Sequence, residues 1–471
     1  VTGAPEVVAG TGGSVTDASL VNYTPAGTGA VVTTVQAKLR ETVSVKDFGA
    51  VGDGVTDDTV AIQAAVNSWV AKLESGTPST LVFDGKFSFT SAILFSFTNT
   101  VTEGALDCKG SQLIYKGTGG TAVEFRVRSL VRGINIYDLH VKDEGTSTDT
   151  VLKFDGGSNS SSQFLYNWSL YNVRVQQSVN KGMVWTGNFF EIALFNPNIT
   201  NQTRLANNHC IHLEKTTGNT PSSFDIYGGS TRGGYHGLYA DISDVKLFGG
   251  TYIESGAEAI TLVNPVSGSV HGVHVENAQM DGSGTGLAGV RMVGSGSIQD
   301  VYATSNNGKH DTACRVFADG NGIEVRKVSV SGGVTKQLLV NSGSNYVNTF
   351  GIKRSRMILP DLAAQNKVSI GANGRVVTAG TLSGAIALDM DSSDFYEATT
   401  NGNVTISVAN PIAGDKLVIS LKQDGTGSRT VTWNAVFKVA TSYNTTANLK
   451  TVWQFIYTGG VWNEMGSASG I

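Results

Sequence analysis

The stretch Val43-Ser-Val-Lys-Asp-Phe-Gly-Ala-Val-Gly-Asp-Gly-Val-Thr-Asp-Asp58, followed by Thr59-Val-Ala-Ile-Gln-Ala-Ala-Val-Asn67, decides how the chain is read. A short β-prone segment meets a glycine-rich turn, and Thr56 then offers a side-chain oxygen as a helix N-cap. Asp57 and Asp58 fall in the first turn, where carboxylates favour the positive end of the helix dipole. Val60, Ala64, Val66, Trp69, Val70 and Leu73 give the helix an apolar face. A lone amphipathic helix in a β-rich chain needs a sheet to cover. The open end of a β-solenoid, with its unpaired strand edge, offers one.

Downstream of that helix the sequence repeats. Strand-like pieces recur at Cys210-Ile-His-Leu-Glu, Gly237-Leu-Tyr-Ala-Asp, Ala259-Ile-Thr-Leu-Val, Gly289-Val-Arg-Met-Val and Ala313-Cys-Arg-Val-Phe. Each has a partner: Phe224-Asp-Ile-Tyr-Gly-Gly, Val245-Lys-Leu-Phe-Gly-Gly, Val270-His-Gly-Val-His-Val-Glu, Ile298-Gln-Asp-Val-Tyr and Ile323-Glu-Val-Arg-Lys-Val. The period drifts between about 21 and 30 residues, as it does when turns vary while strands keep register. Ile134-Asn-Ile-Tyr-Asp-Leu-His-Val and Leu170-Tyr-Asn-Val-Arg-Val mark earlier coils. Alternate apolar side chains would fill the solenoid and leave the rest outside.

The period stops near Pro360. Beyond residue 366, longer alternating segments such as Lys416-Leu-Val-Ile-Ser-Leu-Lys and Thr430-Val-Thr-Trp, with Trp433, Trp453 and Trp462, predict an antiparallel β-sandwich. Those tryptophans fit a sandwich core better than a sugar-stacking surface. The expected organisation is a linker or remnant over 1–40, a parallel β-helix over 41–360 and the sandwich over 361–471. The whole is all-β apart from the capping helix.

Composition agrees. Glycine stands at 58 of 471 residues and only 15% of residues are charged, against about 25% in an ordinary domain. A net charge of −4 with no basic run argues against nucleic acid, which needs concentrated Lys and Arg, and against an anionic membrane surface. No apolar stretch approaches the roughly 20 residues that span a bilayer. Cys108, Cys210 and Cys314 are odd in number and far apart, so they read as small buried hydrophobes made in a reducing cytoplasm. The start Val1-Thr-Gly reads as truncated or processed rather than secretory.

The segment Val35-Gln-Ala-Lys-Leu-Arg-Glu-Thr-Val-Ser-Val-Lys-Asp-Phe-Gly-Ala50 resembles the N-terminal signature of the pectate-lyase-like superfamily. It is most similar to the junction at which phage tailspikes and capsule depolymerases pass from virion-binding domain to β-helix. The match covers roughly residues 35–70 and is specific for fold rather than chemistry. It implies a right-handed parallel β-helix, usually homotrimeric, held on the phage tail or baseplate through its N-terminus. The target implied is a bacterial capsular polysaccharide or O-antigen, reached outside the host cell. It also implies that the C-terminal module serves trimer assembly or sugar binding. Polygalacturonase-type relatives use Asn-x-Asp, Asp-Asp and Gly-His-Gly. Here Asp57-Asp58 lies at the capping helix and Tyr235-His-Gly237 lacks the first glycine, so that set does not transfer.

Candidate chemistry must therefore come from stacking. Coils repeat about 4.8 Å apart. Aligning Gly250-Thr-Tyr-Ile-Glu254 with Gly272-Val-His-Val-Glu276 sets Glu254 over Glu276 and Tyr252 over His274, with Ile253 and Val275 pointing inward. Stacked like charges are unfavourable on a plain structural face, and a carboxylate pair suits glycoside hydrolysis. The bland alternative is two splayed, solvated glutamates. Asp241 is a third acid, with Glu214 one coil before it, and Tyr239 and His236 lie beside it as sugar contacts. Asp225 aligns with Lys246 as an ordinary ion pair. His209 and His212, three apart on a strand, should face opposite sides and hold no zinc. The Gly52-Asp-Gly54 and Asp281-Gly-Ser-Gly turns are explained by turn geometry before calcium. No cofactor is expected.

The expected activity is endo-glycoside hydrolysis. The rivals are a polysaccharide lyase using Tyr252 or His274 as base, a spike that only adheres, and a cellular pectin-type enzyme.

Overall fold

Alternation decides what goes inside. In the strand Ile93–Phe97, Ile93, Phe95 and Phe97 are buried while Leu94 and Ser96 are not. The same pattern recurs along the computed structural model. It describes residues 17–158, 162–216, 218–219, 221–278, 289–304, 316–331, 337–340, 346–350, 357–358, 368–370, 377–390, 394–411 and 413–471. Cys314, the Asp281-Gly-Ser-Gly turn and the expected boundary at Pro360 lie outside these residues. The chain forms two compact units, Val1–Gly256 and Ala257–Ile471.

The first unit is a parallel solenoid with three walls. One wall stacks Ile93–Phe97, Thr121–Val127, Thr150–Asp155, Lys181–Thr186, Ile211–Leu213 and Leu238–Asp241, each parallel to the next. A second stacks Gly104–Asp107, Ile134–Tyr137, Phe164–Tyr171, Phe189–Phe195, Ser222–Tyr227 and Asp244–Phe248. The third runs from Lys86–Phe89 and Gln112–Tyr115 through His140–Asp143, Arg174–Ser178 and Asn198–Asn201 to Ser230–Arg232 and Thr251–Ile253. Register turns sequence repeats into columns. Inside, Phe95, Phe125, Phe154 and Trp185 stack with centroids 4.2, 5.0 and 4.0 Å apart. Each buried ring contributes about 1.5–3 kcal/mol of transfer free energy, and each ring pair about 0.5–1.5 more.

The chain turns from second wall to third through one left-handed residue per coil, Asp138, Asn172 and Asn196, with φ of 54°, 55° and 53°. Asn and Asp tolerate this conformation. They also tie the corner: Asn172 donates to Asp138 at 3.0 Å and Asn196 donates to Asn172 at 3.1 Å.

The expected helix is present as Thr59–Glu74, but it starts later than the sequence suggested. Thr56 lies in the strand Asp53–Asp57 and caps nothing; Asp58 occupies the N-cap place. The Asp58 carboxylate is buried and accepts from the backbone N–H groups of Val51 and Gly52 at 2.7 and 3.1 Å, holding the glycine turn against the helix. Asp53 accepts from Val55 and Thr56, a turn-forming role. The later start rotates the buried face to Ile62, Ala65, Val66, Trp69, Val70 and Leu73, leaving Val60 and Ala64 exposed. Trp69 meets Phe95 and Phe97 edge-on. The Gln63 amide donates to the Leu94 carbonyl and accepts from the Leu94 N–H, both at 2.8 Å. The helix thus closes the open edge at Ile93–Phe97 with hydrogen bonds as well as apolar contact. Residues 17–40, for which no period is visible, hold a two-strand antiparallel pair, Asn22–Tyr23 with Thr33–Thr34, and the short helix Val35–Leu39.

The second unit continues in coils of its own. Ile260–Val263, Val290–Val293, Val316–Ala318, Leu338–Val340 and Met357–Ile358 form one parallel ladder. Ser267–His271 and His274–Glu276 both pair with Gly296–Thr304, which pairs in turn with Asn321–Ser331. The C-terminal module is all-β, but its seven strands form one sheet of mixed pairing. Val377–Asp389, Phe395–Ala409 and Lys416–Gln423 run parallel, while Lys450–Thr458 is antiparallel to both Lys416–Gln423 and Val461–Ser469. Trp453 and Trp462 are fully buried in its core, and Trp433 is half-buried against them.

Candidate functional site

Along the first wall, alternation points every second residue outward. Ile211 and Leu213 face the core, so His212 and then Glu214 face out; Leu238 and Ala240 are buried, so Tyr239 and Asp241 face out. The register sets His212 opposite Tyr239 and Leu213 opposite Ala240. Glu214, just past the end of its strand, and Asp241, the last residue of its own, each lie one residue beyond that last pair, so the coil repeat of about 4.8 Å brings their backbones one above the other. Both are partly exposed.

A cluster of rings adjoins the acids. His209 stacks on His236 at 5.0 Å and on Tyr239 at 5.0 Å, and meets His212 edge-on at 4.7 Å. Tyr235 packs against His236 at 4.8 Å. The strand begins only at Ile211, so His209 precedes it and turns toward His212. The expectation that these two histidines face opposite sides is therefore corrected. Burial holds His209 down to about 2 and His212 to about 3, helped by the charge of Lys181, so both rings are neutral at ordinary pH. Their Nδ1 atoms are buried without a hydrogen-bond partner in the protein. Such orphaned atoms are uncommon in folded proteins. Further along the same wall Glu124 is paired with Arg126 at 2.7 Å and Lys153 at 3.3 Å, and Arg128 with Asp155 at 2.9 Å. Among the described residues no group of three or more His, Cys, Asp or Glu is placed to hold a metal ion.

Of the residues expected from sequence, the structure brings together Asp241, Tyr239 and His236. The others are arranged differently. Tyr252, expected outside, is the inward residue of Thr251–Ile253 and only 2% exposed, while Ile253 faces out. The expected alignment was one residue out of step, and a slip of one exchanges the two faces. Burial also pushes the Tyr252 hydroxyl well above its ordinary range. Glu254 follows that strand at φ 56° and is tied down. Arg232 contacts both its oxygens at 3.0 and 2.9 Å, and Arg204 reaches its carboxylate at 3.4 Å and its carbonyl at 2.7 Å. In the second unit His274 and Glu276 flank buried Val275 on the outer face, as expected. After Glu276 the left-handed place is held by Asn277, with φ 49°. Glu254 is thus a corner residue and Glu276 a strand residue. His274 lies opposite Tyr302, rings 5.0 Å apart, and its Nε2 is buried without a partner.

Asp225 lies opposite Lys246 as expected, yet the ion pair does not form. Lys246 pairs with Asp244 at 3.3 Å, and Asp225 accepts from the Tyr227 hydroxyl at 3.1 Å. The arginine clamp on Glu254 and the His209 contact had no sequence signal, because both depend on corners whose course no pattern fixes. His212 could have been found: two residues before Glu214 on a strand, it shares that face.

Comparison with known proteins adds the family context. Residues 42–229 match the family model described as rhamnogalacturonase A/epimerase, pectate lyase-like. Residues 379–462 match a putative phage tail fibre C-terminal domain. The chain therefore joins a pectate-lyase-like segment of parallel β-helix to a segment that matches a phage tail fibre C-terminal domain. No curated protein matches it. Among solved structures it is similar to ORF18 of Geobacillus virus E2 (13% identity, 91% of this chain and 69% of that one, TM-score 0.44). It is similar to the tailspike protein of E. coli bacteriophage HK620, solved as a double mutant (12%, 96% and 96%, 0.41). It is likewise similar to PfbA, a surface adhesin of Streptococcus pneumoniae (11%, 83% and 99%, 0.44).

Proposed function

We propose that this chain is a tailspike depolymerase, a homotrimer carried on the phage tail that cleaves a bacterial capsular polysaccharide or O-antigen by endo-glycoside hydrolysis. The observation that supports it is the adjacency of Glu214 and Asp241 at the ends of consecutive parallel strands, beside the His209, His212, His236 and Tyr239 rings. One carboxyl group protonates the leaving oxygen while the other attacks or shields the sugar cation. Spacing on neighbouring strands matches the retaining geometry of roughly 5 Å better than the wider inverting gap. Tyr239 and the neutral histidines supply a sugar platform with hydrogen-bonding edges. Glu254 leaves the catalytic pair, since both its oxygens are engaged by Arg232.

A second reading rests on the other unit. His274, Glu276 and Tyr302 share an outer face, and the Tyr302 hydroxyl lies 3.0 Å from Ser331. A Tyr–His pair beside a uronate would serve β-elimination, making the chain a lyase. Mass spectrometry and ultraviolet spectra of oligosaccharides released from a panel of purified capsules separate the two. Hydrolysis adds water and no chromophore, whereas elimination leaves an unsaturated uronate. A polymer panel left at full length would reject both and leave an adhesive spike.

A further inference from the structure

The corner of the first unit holds a cavity of about 320 Å³ lined by Gly110, Asp138, His140, Asn172 and Arg174. It lies where the second wall turns into the third, on other strands than Glu214 and Asp241. Its charges are unmatched. The Arg174 guanidinium is exposed and makes no ion pair or hydrogen bond among the described residues. Asp138 borders the same cavity, yet no salt bridge joins them; its carboxylate accepts from Asn172 at 3.0 Å. His140 is half-buried, and desolvation lowers its proton affinity, so it is neutral at neutral pH. Its Nε2 lies 2.8 Å from the Gln176 Oε1 and so carries the proton, leaving Nδ1 as an acceptor. An exposed guanidinium thus lines one cavity with a carboxylate held by the Asn172 amide and an imidazole held by Gln176, and it pairs with neither.

Beside them stands an aromatic column. Tyr137, Tyr171, Phe195, Tyr227 and Phe248 stack along the outer second wall with centroids 5.0, 4.8, 4.9 and 5.1 Å apart. Tyr137 and Tyr171 immediately precede Asp138 and Asn172, so the column runs along the wall that ends at the cavity. We propose that this corner is a second, non-catalytic saccharide site that takes a carboxylated pyranose unit. Its carboxylate meets Arg174 in the paired geometry guanidinium favours, and its hydroxyls donate to Asp138 and His140. This rests on the reading that the chain binds polysaccharide. It goes further by assigning an anchor away from the cutting face and an acidic sugar to it.

The test uses the full chain in saturation-transfer NMR with glucuronic acid, glucose and inorganic phosphate as probes. Expected are transfer from glucuronic acid well above glucose, its loss by tenfold or more in Arg174→Gln, a weaker loss in Asp138→Asn, and little competition by phosphate. Both variants alter partly exposed side chains, and their circular dichroism should match the parent. Equal transfer in Arg174→Gln overturns the site, as does displacement of glucuronic acid by equimolar phosphate, which would mark an anion contact only. Cleavage assays stand apart. Parent protein that cuts no polymer yet shows Arg174-dependent transfer overturns the hydrolase reading and supports this site.

Discussion

Glu214, which the sequence offers only as the column mate of Asp241, Asp241 itself, the third candidate acid, and Glu254, one of the leading pair, are acids of one unit. Their surroundings separate them. The first two stand at the ends of adjacent strands of the first wall, beside neutral histidines and a tyrosine. Glu254 sits at a left-handed corner with a guanidinium on each oxygen. The difference teaches that a carboxylate's role in a solenoid follows from its place in the coil. The ends of the first-wall strands set two acids on neighbouring coils, while the left-handed corner spends Glu254 on holding the turn.

That comparison can be broken in four places. The largest effect falls on catalysis. Asp241→Asn or Glu214→Gln should lower reducing-end release on the order of 10²–10⁴-fold with an unchanged fold, whereas Glu254→Gln should stay within about twofold. Next, Tyr252→Ala should destabilise by about 3–5 kcal/mol in denaturant titration, and Ile253→Ala, one residue away but facing out, by about 1 kcal/mol. Equal costs would mean the coil's inside has been misplaced.

Third, acid should weaken the ring cluster. His209 and His212 bind protons in the unfolded chain near their ordinary pH of 6.5 but in the folded one only near 2 and 3. Stability is therefore full above 6.5 and falls as pH drops toward 3, by up to about 1.4 kcal/mol per pH unit per histidine. His209→Gln with His212→Gln should flatten the melting temperature between pH 6.5 and 4. An unchanged slope would place the acid sensitivity elsewhere. The smallest effect belongs to Glu254→Gln, about 1 kcal/mol of stability or less, since Arg232 is largely exposed.

Much of the fold was legible because a solenoid writes its geometry as spacing. Leu213 over Ala240 and Ile260 over Val290 follow directly from the repeated segments, whereas Val290 lies opposite Val316, two residues beyond the partner that the repeat predicts. The capping helix was legible too, but not its start, because Asp58 is spent on the turn at Val51 and Gly52 rather than on a helix turn. The site was half legible. Asp241, Tyr239 and Glu214 come from columns, which alternation predicts. Tyr252 and Glu254 went wrong because Tyr and Ile are equally credible as inward residues in a strand of three, and only packing chooses. The missing Asp225 pair has the same origin: register places Lys246 opposite, but a closer acid two residues away on its own strand takes it.

The central claim is that the Glu214 and Asp241 face does the cutting. Its most direct test is the molar mass, by light scattering, of a susceptible capsule incubated with the parent chain, with Glu214→Gln/Asp241→Asn and with Glu254→Gln. The account predicts collapse of the polymer with the parent and with Glu254→Gln, and full length with the double variant. A polymer shortened by the double variant as fast as by the parent would contradict it.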